Sequence, residues 1–181
     1  MKRNWLIIPE FGQRDRFAEL AAKYDAAFEY NDFYKPCVYE DESEVKKRIS
    51  AYKALTRDRS GDTLHGAFLD VVIASQDSFI AEYSRKRVWQ SMDIAGKLGV
   101  KGVVFHSGLV PGVNNNIYIS NWLDKQESLI RSLAKEFAGI EIYMENTHEN
   151  TPEMLLILAD RLRDCKEFSL CFDYAHAGIS K

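Results

Sequence analysis

Apolar, β-branched and aromatic runs recur at residues 5–9, 26–31, 63–68, 102–107, 140–145 and 168–173, and stretches with helical spacing separate them. Short runs alternating with helices build a parallel sheet, because parallel neighbours need a long crossover between them. Four of the runs finish on a residue of metal-ligand type. They are Thr63-Leu64-His65, Gly102-Val103-Val104-Phe105-His106, Ile140-Glu141-Ile142-Tyr143-Met144-Glu145 and Phe168-Ser169-Leu170-Cys171-Phe172-Asp173. In a parallel sheet, neighbouring strand ends open onto one face, so these side chains are expected to converge there.

The intervening helices are legible in some detail. Ile80, Tyr83, Val88, Met92, Ala95 and Leu98 form one apolar stripe, with Gly99 placed to end the helix. Trp122, Leu123, Leu129, Ile130, Leu133 and Phe137 form the next. Thr151-Pro152-Glu153 reads as a hydroxyl N-cap, a proline at the first helical position and an acidic first turn, ahead of buried Met154, Leu155, Leu158 and Leu162. The charge run from Glu40 to Arg48 puts acids first and bases later, as a helix dipole prefers, and reads as a solvated face.

Six βα units occupy the 181 residues, whereas eight units make up the ~250 residues typical of a TIM barrel. A doubly wound sheet would carry a glycine-rich turn after its first strand, but here that turn, Pro9-Glu10-Phe11-Gly12-Gln13, holds one glycine. The expected fold is therefore α/β, of the (β/α)8 barrel type, with about six of the eight units present in one incomplete domain over residues 1–181. Such a chain is expected to be a fragment of a longer protein.

A net charge of −3 supplies no basic face for phosphate neutralisation and disfavours nucleic acid as a partner. Cys37, Cys165 and Cys171 are odd in number and make no CxxC spacing, which points to a reduced, cytoplasmic setting. The apolar stretch after Lys2 and Arg3 is too short for a signal peptide, and no run approaches the ~20 residues of a membrane span. A homo-oligomer stays open.

Glu145 and Asp173 each end an apolar strand, where a carboxylate is partly desolvated and needs a cation or hydrogen-bond donors. Two of them on adjacent strand ends repel, and a divalent metal between them removes the conflict. His65 and His106 sit at the same phase of consecutive strands, so their imidazoles are expected to be neighbours. Mixed imidazole and carboxylate donors favour Zn, Mn or Co, with Mg left open. His65, His106, Glu145 and Asp173 are thus the expected metal ligands. In Asp173-Tyr174-Ala175-His176 an imidazole follows the acid by three residues and can reach substrate or a second metal. His148 lies farther into its loop and is read as a loop residue.

The segments Leu64-His65-Gly66-Ala67-Phe68, Gly102-Val103-Val104-Phe105-His106-Ser107-Gly108, Met144-Glu145-Asn146-Thr147 and Phe172-Asp173-Tyr174-Ala175-His176-Ala177 resemble the xylose isomerase-like TIM-barrel superfamily, from about the first strand to Lys181. That group holds sugar and sugar-phosphate isomerases and epimerases, and the apurinic endonuclease IV enzymes. For the first branch the resemblance implies a divalent metal on Glu145 and Asp173, a catalytic carboxylate at Glu145, a sugar contact at His176, and further ligands from a seventh and an eighth strand. For the nuclease branch it implies zinc on His65, His106, Glu145, Asp173 and His176. The apolar loop Phe68-Leu69-Asp70-Val71-Val72-Ile73 suits a small-molecule pocket better than a phosphate backbone. A metal-dependent sugar or sugar-phosphate isomerase or epimerase is the expected function; the alternatives are a zinc phosphodiesterase at abasic DNA and a non-catalytic barrel remnant.

Overall fold

Each apolar run becomes a strand in the computed structural model, which describes residues 5–110, 112, 113, 115–149 and 151–179. Lys2, Arg3 and Lys181 lie outside the described residues. The strands are β1 (Leu6–Ile7), β2 (Ala27–Tyr30), β3 (Thr63–His65), β4 (Gly102–His106), β5 (Glu141–Glu145) and β6 (Phe168–Cys171). They form one sheet in chain order, every neighbouring pair parallel. The helices are α1 (Arg14–Tyr24), α2 (Pro36–Glu40), α3 (Glu42–Lys53), α4 (Ser78–Leu98), α5 (Asn116–Glu136), α6 (Glu153–Arg161) and α7 (Tyr174–Ile179). This is the architecture of a partial (β/α)8 barrel.

Strand alternation divides the side chains between two faces. Phe28, Tyr30, Leu64, Val103, Phe105, Ile142 and Met144 point to the helices and are buried. From α4 and α5 they meet Val88, Met92, Ala95, Leu98, Trp122, Leu129, Ile130 and Leu133. Burial of one such side chain is worth about 1.5–3 kcal/mol, so this layer carries most of the fold's hydrophobic stabilisation. The opposite face carries His65, His106 and Glu145, each two residues on from another inward-facing position.

The register decides how these line up. His65 pairs with Val104, two residues short of His106. His106 pairs directly with Glu145, and Glu145 pairs with Cys171, two residues short of Asp173. This is the stagger that tilted barrel strands require. Gly66 carries the chain out of β3 close to β4: a Cβ there would collide with the Phe105 ring, so a larger residue would displace a core ring.

Two helix readings need correction. Ile80 is exposed, and α4 buries Ala81 and Ser84 in its first turns instead. Ser84 fits because its hydroxyl is bonded to Ile80 O and to Val72 N, which a stripe of apolar residues does not reveal. Helix α6 starts at Glu153 with Pro152 in the cap position and no side-chain cap bond, so Thr151 is not its N-cap. Proline, lacking an N–H, sits at that unbonded start without penalty. Gly99 ends α4 in the left-handed region at φ 73° as expected, and the charged run forms α3, capped by Asp41.

Candidate metal centre

The strand ends bring His65, His106, Glu145, Asp173 and His176 to one place. His106 Nε2 lies 3.2 Å from Glu145 Oε2, and His65 Nε2 lies 3.9 Å from the same oxygen. The rings of His65 and His106 are 5.0 Å apart and nearly perpendicular, and His176 stands edge-on to His106 at 5.6 Å. Two donor sets result: His65, His106 and Glu145, and Glu145, Asp173 and His176, with the donor atoms of each set within 4.8 Å of one another. Glu145 belongs to both. His65 and Glu145 are buried.

Local bonding prepares these groups. His65 Nδ1 lies 3.1 Å from the Gly66 carbonyl and His176 Nδ1 lies 2.8 Å from the Asn146 carbonyl. A carbonyl can only accept, so Nδ1 carries the proton in each and Nε2 keeps its lone pair, the arrangement that metal-binding histidines use. Burial, foremost, holds the His65 imidazole below its ordinary pKa, against the pull of the Gly66 carbonyl; the neighbouring imidazoles add to the depression. It is a neutral donor near pH 7.

Asn146 extends the β5–β6 ladder beyond the strands. Its Oδ1 accepts from Asp173 N at 2.7 Å while its Nδ2 donates to Asp173 O at 3.0 Å. Asp173 Oδ1 in turn accepts from His176 N at 2.7 Å, which starts α7 and aims its imidazole back at the site. Behind β4, Ser107 O accepts from Trp122 Nε1 and Gln126 Nε2, both at 3.0 Å, so α5 fixes the backbone just past His106.

The electrostatics ask for a cation. Glu29 on β2 is pushed up by burial first, then by Glu145 and Asp173. The Cys171 thiol is pushed up to about 11 by burial, then by Glu145, Glu29 and Asp173. Three carboxylates and a thiol thus share a desolvated space into which two pre-set imidazole lone pairs point. That donor set fits a divalent ion such as Zn, Mn or Co.

The spacing-based pairing of His65 with His106 and of Glu145 with Asp173 is present in the geometry, and His176 joins the Asp173 set. His148 is exposed and belongs to neither set. It does line a cavity of about 110 Å³ beside His106, with Phe68, Val71, Leu109 and Thr147. A larger groove of about 790 Å³ lies outside, between α3 and α4, away from the strand ends, with lysines and acids along its walls. Sequence reasoning missed Glu29 and Asn146. Glu29 and Thr63 are paired residues on the inner face. Asn31 Oδ1 and Thr63 Oγ1 are buried without a hydrogen-bond partner among the described residues. Strict alternation from Phe28 and Tyr30 would have exposed Glu29 as inward-facing; Asn146 carries no signal beyond its place after Glu145.

Residues 17–180 match the family described as Xylose isomerase-like TIM barrel. The chain belongs to that family, with six of the typical eight strands present. Among solved structures it is similar to the TTHB071 protein from Thermus thermophilus, soaked with ZnCl2, at 20% identity and TM-score 0.71, covering 98% of this chain and 68% of that one. It is similar to D-allulose 3-epimerase from Methylomonas sp. in complex with D-allulose, at 18% identity and TM-score 0.63, over 98% and 62% of the two chains. D-psicose 3-epimerase with D-tagatose from Clostridium cellulolyticum H10 gives 11% identity and TM-score 0.66, over 99% and 63%. The chain therefore spans under two thirds of the length of these two epimerases, and what is shared at such identities is the fold. None of the curated proteins matches the sequence. No helix among the described residues is long and apolar enough to cross a membrane.

Proposed function

We propose that the chain forms the metal-holding part of an isomerase or epimerase acting on a sugar, a sugar phosphate or a related hydroxy-carbonyl compound. The observation that carries this reading is the pair of strand-end carboxylates, Glu145 and Asp173, brought together with His176. Similarity of fold to enzymes named D-allulose 3-epimerase and D-psicose 3-epimerase agrees with it.

In this reading Glu145 and Asp173 hold the ion, with His65 and His106 completing the donors on the other side of Glu145. A bound divalent ion supplies Lewis acidity, polarising carbonyl and hydroxyl oxygens so that the proton alpha to the carbonyl becomes more acidic. Glu145, desolvated and close to that centre, is the carboxylate of this chain placed to take part in the proton transfer. His176, its Nδ1 fixed on Asn146 O, presents Nε2 to the ion or to a substrate hydroxyl. Phe68, Val71 and Leu109 give the cavity beside His106 its apolar walls.

Glu145→Gln and Asp173→Asn test the assignment. In the complete protein each is expected to abolish stoichiometric Mn or Zn binding and turnover of sugars such as D-allulose or D-tagatose while leaving the circular dichroism spectrum unchanged. Retained metal content and activity in both variants would remove the site from consideration.

The two donor sets sharing Glu145 favour a second reading, a zinc phosphodiesterase acting on abasic DNA, since paired metals suit phosphoryl chemistry. Tight uptake of two zinc ions per chain, with duplex binding that weakens steeply as salt rises, would establish it over the first.

A further inference from the structure

Two of the three imidazoles at the metal centre are anchored by a backbone carbonyl, His65 on Gly66 and His176 on Asn146. His106 has no such bond among the described residues. Its outer torsion joins a tetrahedral to a planar carbon and is broad, so no rotamer preference alone sets the direction of Nε2. Yet that atom sits 3.2 Å from Glu145 Oε2. Glu145 meets the ring at that one atom, which leaves the plane of the ring to be set by another neighbour.

Phe68 lies against it. The Phe68 and His106 rings stack at 4.8 Å and 30°, and the Phe68 ring also meets His65 edge-on at 5.0 Å. Tyr34 stacks on Phe68 at 4.9 Å and 18°, and Lys35 Nζ lies 5.9 Å from the Tyr34 ring centre. The column reads Lys35, Tyr34, Phe68, His106, and its geometry is of the offset-stacked kind that aromatic rings favour.

The loop that carries Phe68 is fastened to the scaffold along its length. Ala67 N donates to Ser91 Oγ at 3.0 Å and Val72 N to Ser84 Oγ at 2.8 Å, both on α4. From α5, Asn121 Nδ2 donates to Ala74 O at 2.9 Å and Lys125 Nζ to Ser75 O at 2.8 Å. Phe68 is thus a fixed wall.

We propose that Phe68 is the positioning residue of His106, supplying by ring stacking the orientation that a backbone carbonyl supplies to His65 and His176. The proposal rests on the reading of His106 as a donor of the metal centre. It separates a ring contact from apolar filling, because leucine can fill the space and cannot stack.

The test compares the parent chain with Phe68→Leu, Phe68→Tyr and Glu145→Gln. Co²⁺ affinity is measured by competition with a chromophoric chelator, and the visible absorption of bound Co²⁺ is recorded. The His106 ring signals are followed by NMR without metal. Phe68→Leu is expected to weaken Co²⁺ binding about tenfold, as loss of a ligand-orienting contact does, and to shift the Co²⁺ bands. It should also move the His106 ring protons downfield, away from their stacked positions. Phe68→Tyr keeps the ring and is expected to stay within about twofold of the parent in affinity, with His106 unmoved. A Phe68→Leu protein with parental affinity and parental His106 signals overturns the proposal, and so does a Phe68→Tyr protein as impaired as the leucine variant. If parent and Glu145→Gln bind Co²⁺ equally, the metal reading fails, and the His106 signals then judge the positioning by themselves.

Discussion

Cys171 senses the carboxylates around it, and its chemistry is a direct probe of their convergence. With its thiol pushed up to about 11, little thiolate exists near pH 8, whereas Cys37 is exposed. Iodoacetamide is expected to modify Cys37 first and Cys171 more slowly by about tenfold or more, followed by mass spectrometry. Glu145→Gln should speed the Cys171 reaction, and an unchanged rate would separate the two residues in space. His65 gives a pH dependence. Its folded pKa is depressed below the ordinary 6.5, so between the two values the unfolded chain binds more protons, and stability falls as pH drops through that window. The thermal midpoint of the metal-free chain should decline below about pH 6.5, and less so in His65→Gln. The metal-ligand types were legible in the sequence because His, Glu and Asp at strand ends have few purely structural reasons to recur. Phe68 was read as pocket wall and not as a partner of His106, and the pairing of Asn146 with Asp173 was not read at all, since ring stacking and amide pairing depend on which loops meet.

At the scale of elements, the junction of β2 with β3 holds the first strands in register. Asp62, fully buried just before β3, accepts from Phe28 N at 2.8 Å and Tyr30 Oη at 2.7 Å, and takes a two-pronged pair from Arg57 at 2.5 and 2.7 Å. The Arg57 guanidinium also lies 3.8 Å from the centre of the Phe28 ring. Asp62→Ala strands that cation in a buried site and is expected to cost about 3–5 kcal/mol in urea unfolding; a loss under about 1 kcal/mol would mean that water reaches the pair. The six strands were readable within a residue or two at most ends, because strands of a parallel sheet read as near-continuous apolar runs against amphipathic helices. The short α2 and α7 were not. Each is about a turn or two long and owes its place to loop contacts, such as Asp173 Oδ1 on His176 N, and not to any periodic stripe.

For the molecule as a whole, the helix-covered face of the sheet supplies the core and the inner face gathers the candidate metal donors. The (β/α)8 type was legible from the unit count and from polar residues at successive strand ends. The branch of the family was not, because the resemblance implies strand-end donors at Glu145 and Asp173 for both branches. Metal binding should be visible in global stability: ligand at 100 times its dissociation constant contributes about 2.7 kcal/mol. Added Mn or Zn is expected to raise the thermal midpoint of the parent and to leave Glu145→Gln unmoved. Equal shifts in both would point to adventitious binding. Glu145 stands in both donor sets, and a carboxylate counted twice cannot satisfy two dications as fully as one. Whichever half of the mouth fills first, the other inherits a depleted ligand and a neighbouring positive charge. The two halves are therefore rivals, and a calorimetric titration is expected to show one tight step followed by a distinctly weaker one, the gap between them measuring how strongly a single side chain couples the ends of four strands.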